Sequence, residues 1–257
     1  MGAKKIFIAY YTIVRKDTVR MLRLWKQTFL PSIITTVLYF LVFGTFIGSQ
    51  LPPIHGFSYI QFIVPGLVMM QGIMNSYSNT STALFMAKFQ RNLDEMLVSP
   101  MPEWVIIAGY VSAGIIRGFI IGVLVLMTAL FFTHLAIHNV FLILSAFILT
   151  CTLFSLGGFL NAMFAETFDS IAIVPTFILT PLTFLGGVFY SISRFPEFWQ
   201  KVSLANPILY MVNVFRYGFL GVSDVNLWFA FTVLIVLTAL FLALILTLFK
   251  RGVGLKH

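Results

Sequence analysis

Apolar runs of membrane-spanning length recur along the chain, separated by short stretches where charge, proline and glycine gather. A helix crossing a bilayer needs about twenty mostly apolar residues. The pattern therefore predicts six spans, at Pro31–Ile47, Ser58–Tyr77, Val105–Phe132, Val140–Phe164, Ile171–Tyr190 and Leu227–Phe249. Ahead of them, Lys4–Phe29 repeats with helical period: Phe7, Tyr11, Val14, Thr18, Met21 and Trp25 fall on one face, and Lys5, Lys16, Arg20 and Arg23 on the other. That division predicts an amphipathic helix lying in the headgroup plane; a plain basic cytoplasmic tail has the same composition. Between the last two spans, Phe195, Phe198, Trp199 and Val202 oppose Glu197, Gln200 and Lys201, which predicts a second amphipathic helix on the outer surface. Ile208–Gly221, interrupted by Asn213 and Arg216, is too short and polar for a span and fits a re-entrant segment returning to the same side.

The most polar interruption is Lys88–Trp104, KFQRNLDEMLVSPMPEW, where Lys88, Arg91, Asp94, Glu95 and Glu103 crowd together. It reads as a short helix with an apolar edge at Leu93, Met96 and Leu97, ended by Pro100 and Pro102. A docking element and a solvated loop fit this pattern equally.

Composition fixes the class. Hydrophobic residues make up 60% and charged residues 9% of the 257 positions, against roughly 25% charged in a soluble domain. The chain is therefore expected to be an all-α integral membrane protein. Its net charge of +8 gathers at the two ends, which points to anionic lipid headgroups rather than nucleic acid. Cys151 is the single cysteine, so no internal disulfide is available. Twelve lysines and arginines lie in the ends and connections on the N-terminal side of the membrane, against three (Arg194, Lys201, Arg216) on the other. The positive-inside rule then places both termini in the cytoplasm. Trp25, Trp104, Trp199 and Trp228 all sit at or beyond span ends, where indole favours the interface.

Polar positions inside the spans are the next candidates. Gln71, Asn75, Asn79 and Thr82 share one face of the second span, either lining a path or bonding to other helices. Arg117 stands deep in the third span among Gly114, Gly118 and Gly122, a small-residue stripe that admits another backbone. It could pair with carbonyls or a carboxylate across a helix contact, or face an anionic group on a substrate. Cys151, Ser155, Gly158 and Ala162 form a packing stripe on the fourth span, which ends in the short connection Ala165–Asp169 with Glu166 and Asp169. Pro175 and Pro181 interrupt the fifth span, so protein or water must satisfy the freed carbonyls. His134 and His138 have helical ligand spacing but no third ligand nearby, so no metal is expected.

The sequence lacks a GxxxxGK[ST] loop, an HExxH pair and a nucleophile elbow, so it is not expected to be an enzyme. A self-contained secondary transporter or channel is the alternative, yet no carboxylate lies well inside a span to couple an ion. Asn92–Tyr110 (NLDEMLVSPMPEWVIIAGY) and Pro181–Arg216 (PLTFLGGVFYSISRFPEFWQKVSLANPILYMVNVFR), with the amphipathic first helix and six spans, resemble the membrane subunits of ABC-2 type exporters, in particular the small bacterial YadH-like group.

The resemblance implies a single ABC transmembrane type-2 domain over residues 1–257. Residues 4–29 would be an interfacial connector helix, 31–249 a six-span core, 88–104 a coupling segment and 191–221 an outer amphipathic and re-entrant segment. Arg91, Asp94, Glu95, Met96, Leu97, Pro100 and Pro102 would seat in the cleft of a separate ATP-binding subunit, with Glu166 and Asp169 in a minor second element. Gly186, Gly187, Phe195, Trp199, Asn206 and Pro207 would belong to a cap on the outer side. Two copies would enclose the pathway in a bacterial inner membrane. ATP and magnesium would be bound by the partner, and this chain would hold no cofactor. A drug, a lipid or a lipid-linked glycan would suit the apolar spans.

Overall fold

The computed structural model describes residues 2–192 and 196–254. Among them the chain is helical apart from connections and one isolated bridge, Ile54 to Phe57. Helix α1 is Ala3–Arg23, and a kinked helical stretch, α2, covers Trp25–Gln50. Then come α3 (Tyr59–Phe89), α4 (Asn92–Val98), α5 (Glu103–Leu130) and α6 (Val140–Phe164). The last four are α7 (Phe168–Leu185), α8 (Glu197–Leu204), α9 (Pro207–Leu220) and α10 (Leu227–Lys250).

Five stretches, α2, α5, α6, α7 and α10, are long and apolar enough to cross a membrane. The second expected span lies within α3, which at 31 residues is the longest helix and measures about 46 Å at 1.5 Å per residue. Gln61, Gln71, Asn75 and Asn79 dilute its apolar character. They are tolerated because α3 is the central strut, buried along most of its length between α5, α6 and α9. Ser58 starts it with a capping box, its backbone N–H donating to Gln61 at 3.1 Å. The outward faces of the peripheral helices carry exposed Phe46, Phe141, Phe177 and Trp228, as lipid-facing surface requires.

Small residues set the close packing. A β-carbon on Gly118 would lie 2.8 Å from Cys151 Sγ and 3.2 Å from the Gly72 carbonyl, one on Gly114 would collide with Thr80 and Ser155, and one on Gly122 with the Phe147 ring. The stripe of α5 is thus a seam against α3 and α6 within one chain.

Several boundaries differ from the sequence pattern. The first helix stops at Arg23 rather than Phe29, and the apolar stretch begins at Trp25, six residues before Pro31. Pro31 sits in the first turn of a helical segment, where its missing N–H costs nothing. The fifth span ends at Leu185 instead of Tyr190, because Gly186 and Gly187, the latter at φ +73°, turn the chain. Its interior widens into π-helical turns over Val174–Leu179. Pro175 cannot donate to the Ile171 carbonyl, and Asn161 of α6 does so instead at 3.2 Å.

Candidate functional site

At the end of the bundle expected to face the cytoplasm, Arg91 breaks the chain between α3 and α4 with φ +59°. Helix α4 then lies across the end of the bundle, with Leu93 buried beneath it and Met96 half-buried. The sequence put Leu93, Met96 and Leu97 on one apolar edge; the packed edge is Leu93 and Met96, and Leu97 faces outward. Val98, absent from that edge, is the most projecting aliphatic side chain of the segment at 88% exposed. Arg91, Asp94 and Glu95 are exposed around them. Ser99 closes the helix by donating to Met96 O at 2.7 Å and is extended (φ −68°, ψ 152°), as a residue before Pro100 must be. Pro102 then caps α5. Lys16 of α1 and Glu95, Met96 and Ser99 of α4 line a shared open cleft of about 350 Å³.

The base that opens this segment is not a loop residue. Lys88 is buried, and its Nζ donates to Met163 O at 2.9 Å and Ala165 O at 3.3 Å. These carbonyls end α6, where the helix dipole favours a cation. Burial pushes the Lys88 ammonium below its ordinary value, and Glu166 opposes that shift. Phe85 and Phe89 of α3 meet Phe168 with ring centroids 4.9 and 5.6 Å apart. The two connections at this end, 90–102 and 165–167, are thereby braced against each other. Glu166 and Asp169 are exposed on the second, where Thr167 and Ser170 cap α7 reciprocally. The sequence showed two carboxylates there but no sign of this joint.

Helix α1 crosses the same end. Its protein-facing stripe is Tyr10, Ile13, Asp17 and Met21: Tyr10 donates to Ser112 at 2.8 Å, and Ile13 packs onto Gly109. Phe7, Tyr11 and Trp25 of the expected apolar face are exposed. Each of these three is more than half exposed, which suits immersion in lipid, whereas Met21 of the same expected face is buried against the bundle. Asp17 is buried and pairs with Arg20 at 3.4 Å.

The polar stripe of α3 divides. Asn75 donates to Gln71 O at 3.0 Å and approaches Ser32 Oγ of α2 at 3.4 Å, so Gln71 and Asn75 join two helices. Asn79 accepts from Arg117 Nη1 at 3.5 Å. Arg117 therefore leaves the glycine seam and points toward α1, while Gly114, Gly118 and Gly122 close onto α3 and α6.

At the opposite end, Asn206 caps α9 by accepting from Ile208 N at 3.0 Å and donates to Leu182 O of α7 at 2.6 Å. Pro207 follows as the first helical residue, and Ile208 packs against Gly186. Trp199 is partly exposed and meets Phe198 edge-on; Phe195 lies outside the described residues. Arg216, counted as a loop base from sequence, is 1% exposed. It donates to Gly187 O at 2.6 Å, with its guanidinium 3.8 Å from the Phe62 ring. Asp224 accepts from Ser191 Oγ at 2.7 Å, its backbone N–H donates to Asn213 at 2.9 Å, and His55 stands 3.4 Å away. No role for Asp224 was legible in the sequence, since its partners come from three separate segments. His138 packs edge-on against Tyr217, and His134 lends only its carbonyl, to Gln61.

Comparison with known proteins agrees with this architecture. The family model described as ABC-2 type transporter matches residues 8–220. Inner membrane transport permease YadH of Escherichia coli K12 is 51% identical over 97% of this chain and 98% of its own. Nodulation protein J of Sinorhizobium fredii is 24% identical over 75% of each chain, and that of Rhizobium leguminosarum bv. viciae 22% over 79% of this chain and 80% of its own.

Proposed function

The chain belongs to the ABC-2 type transporter family, and from that premise we propose that it is the membrane subunit of an ATP-driven exporter. A separate ATP-binding subunit docks on the α4 surface and supplies both ATP and magnesium sites. The observation that carries this reading is the cytoplasmic rim: Leu97 and Val98 project beside Asp94 and Glu95, on a segment braced to residues 165–169 by Lys88 and Phe168. Exposed aliphatics of this kind outside lipid mark a protein contact. The brace gives such a contact leverage on α3 and α6 together, and through α3 on the centre of the bundle. A partner closing on ATP shifts the bundle only by its differential affinity for the two states.

In this reading α3 is the sixth span, and both ends of the chain face the cytoplasm of a bacterium whose inner membrane holds the protein. The short helices α8 and α9 enter and leave at the outer end: α9 begins against Leu182 and finishes where Gly218 O accepts from His138 N and Asn139 N. A second copy of the chain meets the exposed apolar faces to enclose the pathway. A lipophilic or amphiphilic substrate suits an apolar cleft of about 430 Å³ between α6, α7 and α10, whose polar groups are Tyr77 and Asn161.

Co-purification tests the reading. The chain in detergent should retain an ABC ATPase, and charge reversal of Asp94 and Glu95 combined with Leu97→Ala should release it. An intact complex in that variant, or no ATPase recruited by the native chain, contradicts the docking assignment.

A further inference from the structure

A cleft of about 370 Å³ opens between α1, α2, α3 and α5, with Phe168 of α7, a member of the brace behind the docking rim, on its wall. Arg20 and Arg117 both line it, with Gln27 and Asn79 as neutral polar walls and Leu24 and Met86 as apolar ones. No carboxylate lines it. Arg117 has only the 3.5 Å contact to Asn79, and its buried Nε has no partner among the described residues. An arginine this far along a span is costly unless its donors are used. The nearest acid, Asp17, approaches Arg20 at 3.4 Å from the buried face of α1. Burial pushes that carboxyl above its ordinary value, against the pull of Arg20 and Lys16. Two guanidiniums thus share a cleft with at most one opposing charge.

Depth narrows the ligand. Ile13 of the interfacial helix rests on Gly109, and Arg117 lies eight residues further along α5, about 12 Å at 1.5 Å per residue. A long side chain returning from that depth brings its head to the level of the lipid phosphates. The cleft continues from there along apolar side chains, as a headgroup site with a tail groove does.

We infer that this cleft binds the phosphate of an anionic amphiphile from the cytoplasmic leaflet, with Arg20 and Arg117 donating to its oxygens and Leu24 and Met86 lining its acyl chain. Guanidinium suits phosphate because its planar donors meet two oxygens at once. The inference rests on the membrane placement of the chain and not on the ATPase-driven cycle, so the two stand or fall separately.

Native mass spectrometry of the purified chain, without any ATPase, with phosphatidylglycerol, phosphatidylcholine and inorganic phosphate as probes, tests it. Phosphatidylglycerol should bind at least tenfold tighter than phosphatidylcholine, and inorganic phosphate should not displace it at equal concentration. Arg117→Gln and Arg20→Gln should each lower phosphatidylglycerol affinity about five-fold, Arg117→Lys less, and Lys201→Gln on the outer side not at all. If Arg117→Gln fails to fold, Arg20→Gln on the more exposed arginine carries the test. Equal binding of the two lipids, or a preference that survives both glutamine substitutions, overturns the inference. Displacement by inorganic phosphate at equal concentration overturns the lipid assignment.

Discussion

The two ends of the bundle treat their polar residues in opposite ways. At the α9 end, Arg216, Asn213 and Asp224 turn inward, where Gly187 O, Phe62 and Ser191 meet them. At the α4 end Lys88 is likewise turned inward, but α4 sends Asp94, Glu95, Leu97 and Val98 out. One end is closed by its own hydrogen bonds; the other braces a segment and leaves its apolar tip uncovered. A substitution of a charged residue at the α9 end is therefore expected to act on folding, and one on the proposed docking rim of α4 on association. The buried cations do not divide the same way. Lys88 and Arg216 both donate to backbone carbonyls, yet Arg216 Nε and Nη1, like Arg117 Nε, have no hydrogen-bond partner among the described residues. What sets Arg117 apart is that it lines a cleft.

Four substitutions would break or sharpen this contrast. Arg216→Ala should have the largest effect, lowering stability by about 3 kcal/mol through the stranded Gly187 carbonyl and the void beside Phe62. Thermal unfolding in detergent reads this, with Val98→Asp as the comparison expected to stay within about 0.5 kcal/mol of the native chain. The double change Leu97→Asp, Val98→Asp should cost about 2 kcal/mol in affinity for the ATPase, roughly thirty-fold, as central interface positions do. Titration of the ATPase against nanodisc-held chain measures it, and the unfolding midpoint should not move.

Lys88→Met comes third, with a loss of about 1–2 kcal/mol because two charge-assisted bonds go while an ammonium burial cost is also relieved. Its pH profile is more telling. The folded chain releases the Lys88 proton below the ordinary value of 10.5, so native stability should rise with pH between the depressed value and 10.5. The Lys88→Met chain should lack that alkaline rise. Arg91→Gly should give the smallest change, a gain of roughly 0.5 kcal/mol. Relief of the left-handed backbone outweighs the added freedom of glycine by that margin.

What could be read from the chain followed from locality. Pro100 and Pro102 ended α4 where the pattern placed the stop, and five of the six expected spans coincide with helical stretches long and apolar enough to cross a membrane, with ends shifted by up to six residues. The second expected span coincides with part of a longer helix, α3, whose amides keep it out of the five stretches apolar enough to cross a membrane. Features that depend on distant partners were not legible. Lys88 looked like a loop base because the carbonyls it caps lie 75 and 77 positions away. Arg216 was read as a base of the outer connection and an interruption of Ile208–Gly221, and Asp224 drew no reading, because the groups that meet them lie far away in the sequence. On α4, a helix of seven residues, one apolar edge cannot be told from its neighbour by spacing alone, and Val98 was missed for that reason. Arg117 was visible as an anomaly, yet only the fold turned it away from the glycine stripe and toward Arg20.

The central claim is that the exposed tip of α4 is the seat of an ATPase. Cys151 is the single cysteine and is buried, so Val98→Cys places one reactive thiol at that tip. Thiol-to-amine crosslinking of this variant in membranes should yield one adduct with an ABC ATPase, absent from the native chain and from Trp199→Cys on the outer end. A Val98→Cys chain that labels readily but forms no such adduct, or an adduct equally strong from position 199, would contradict the account.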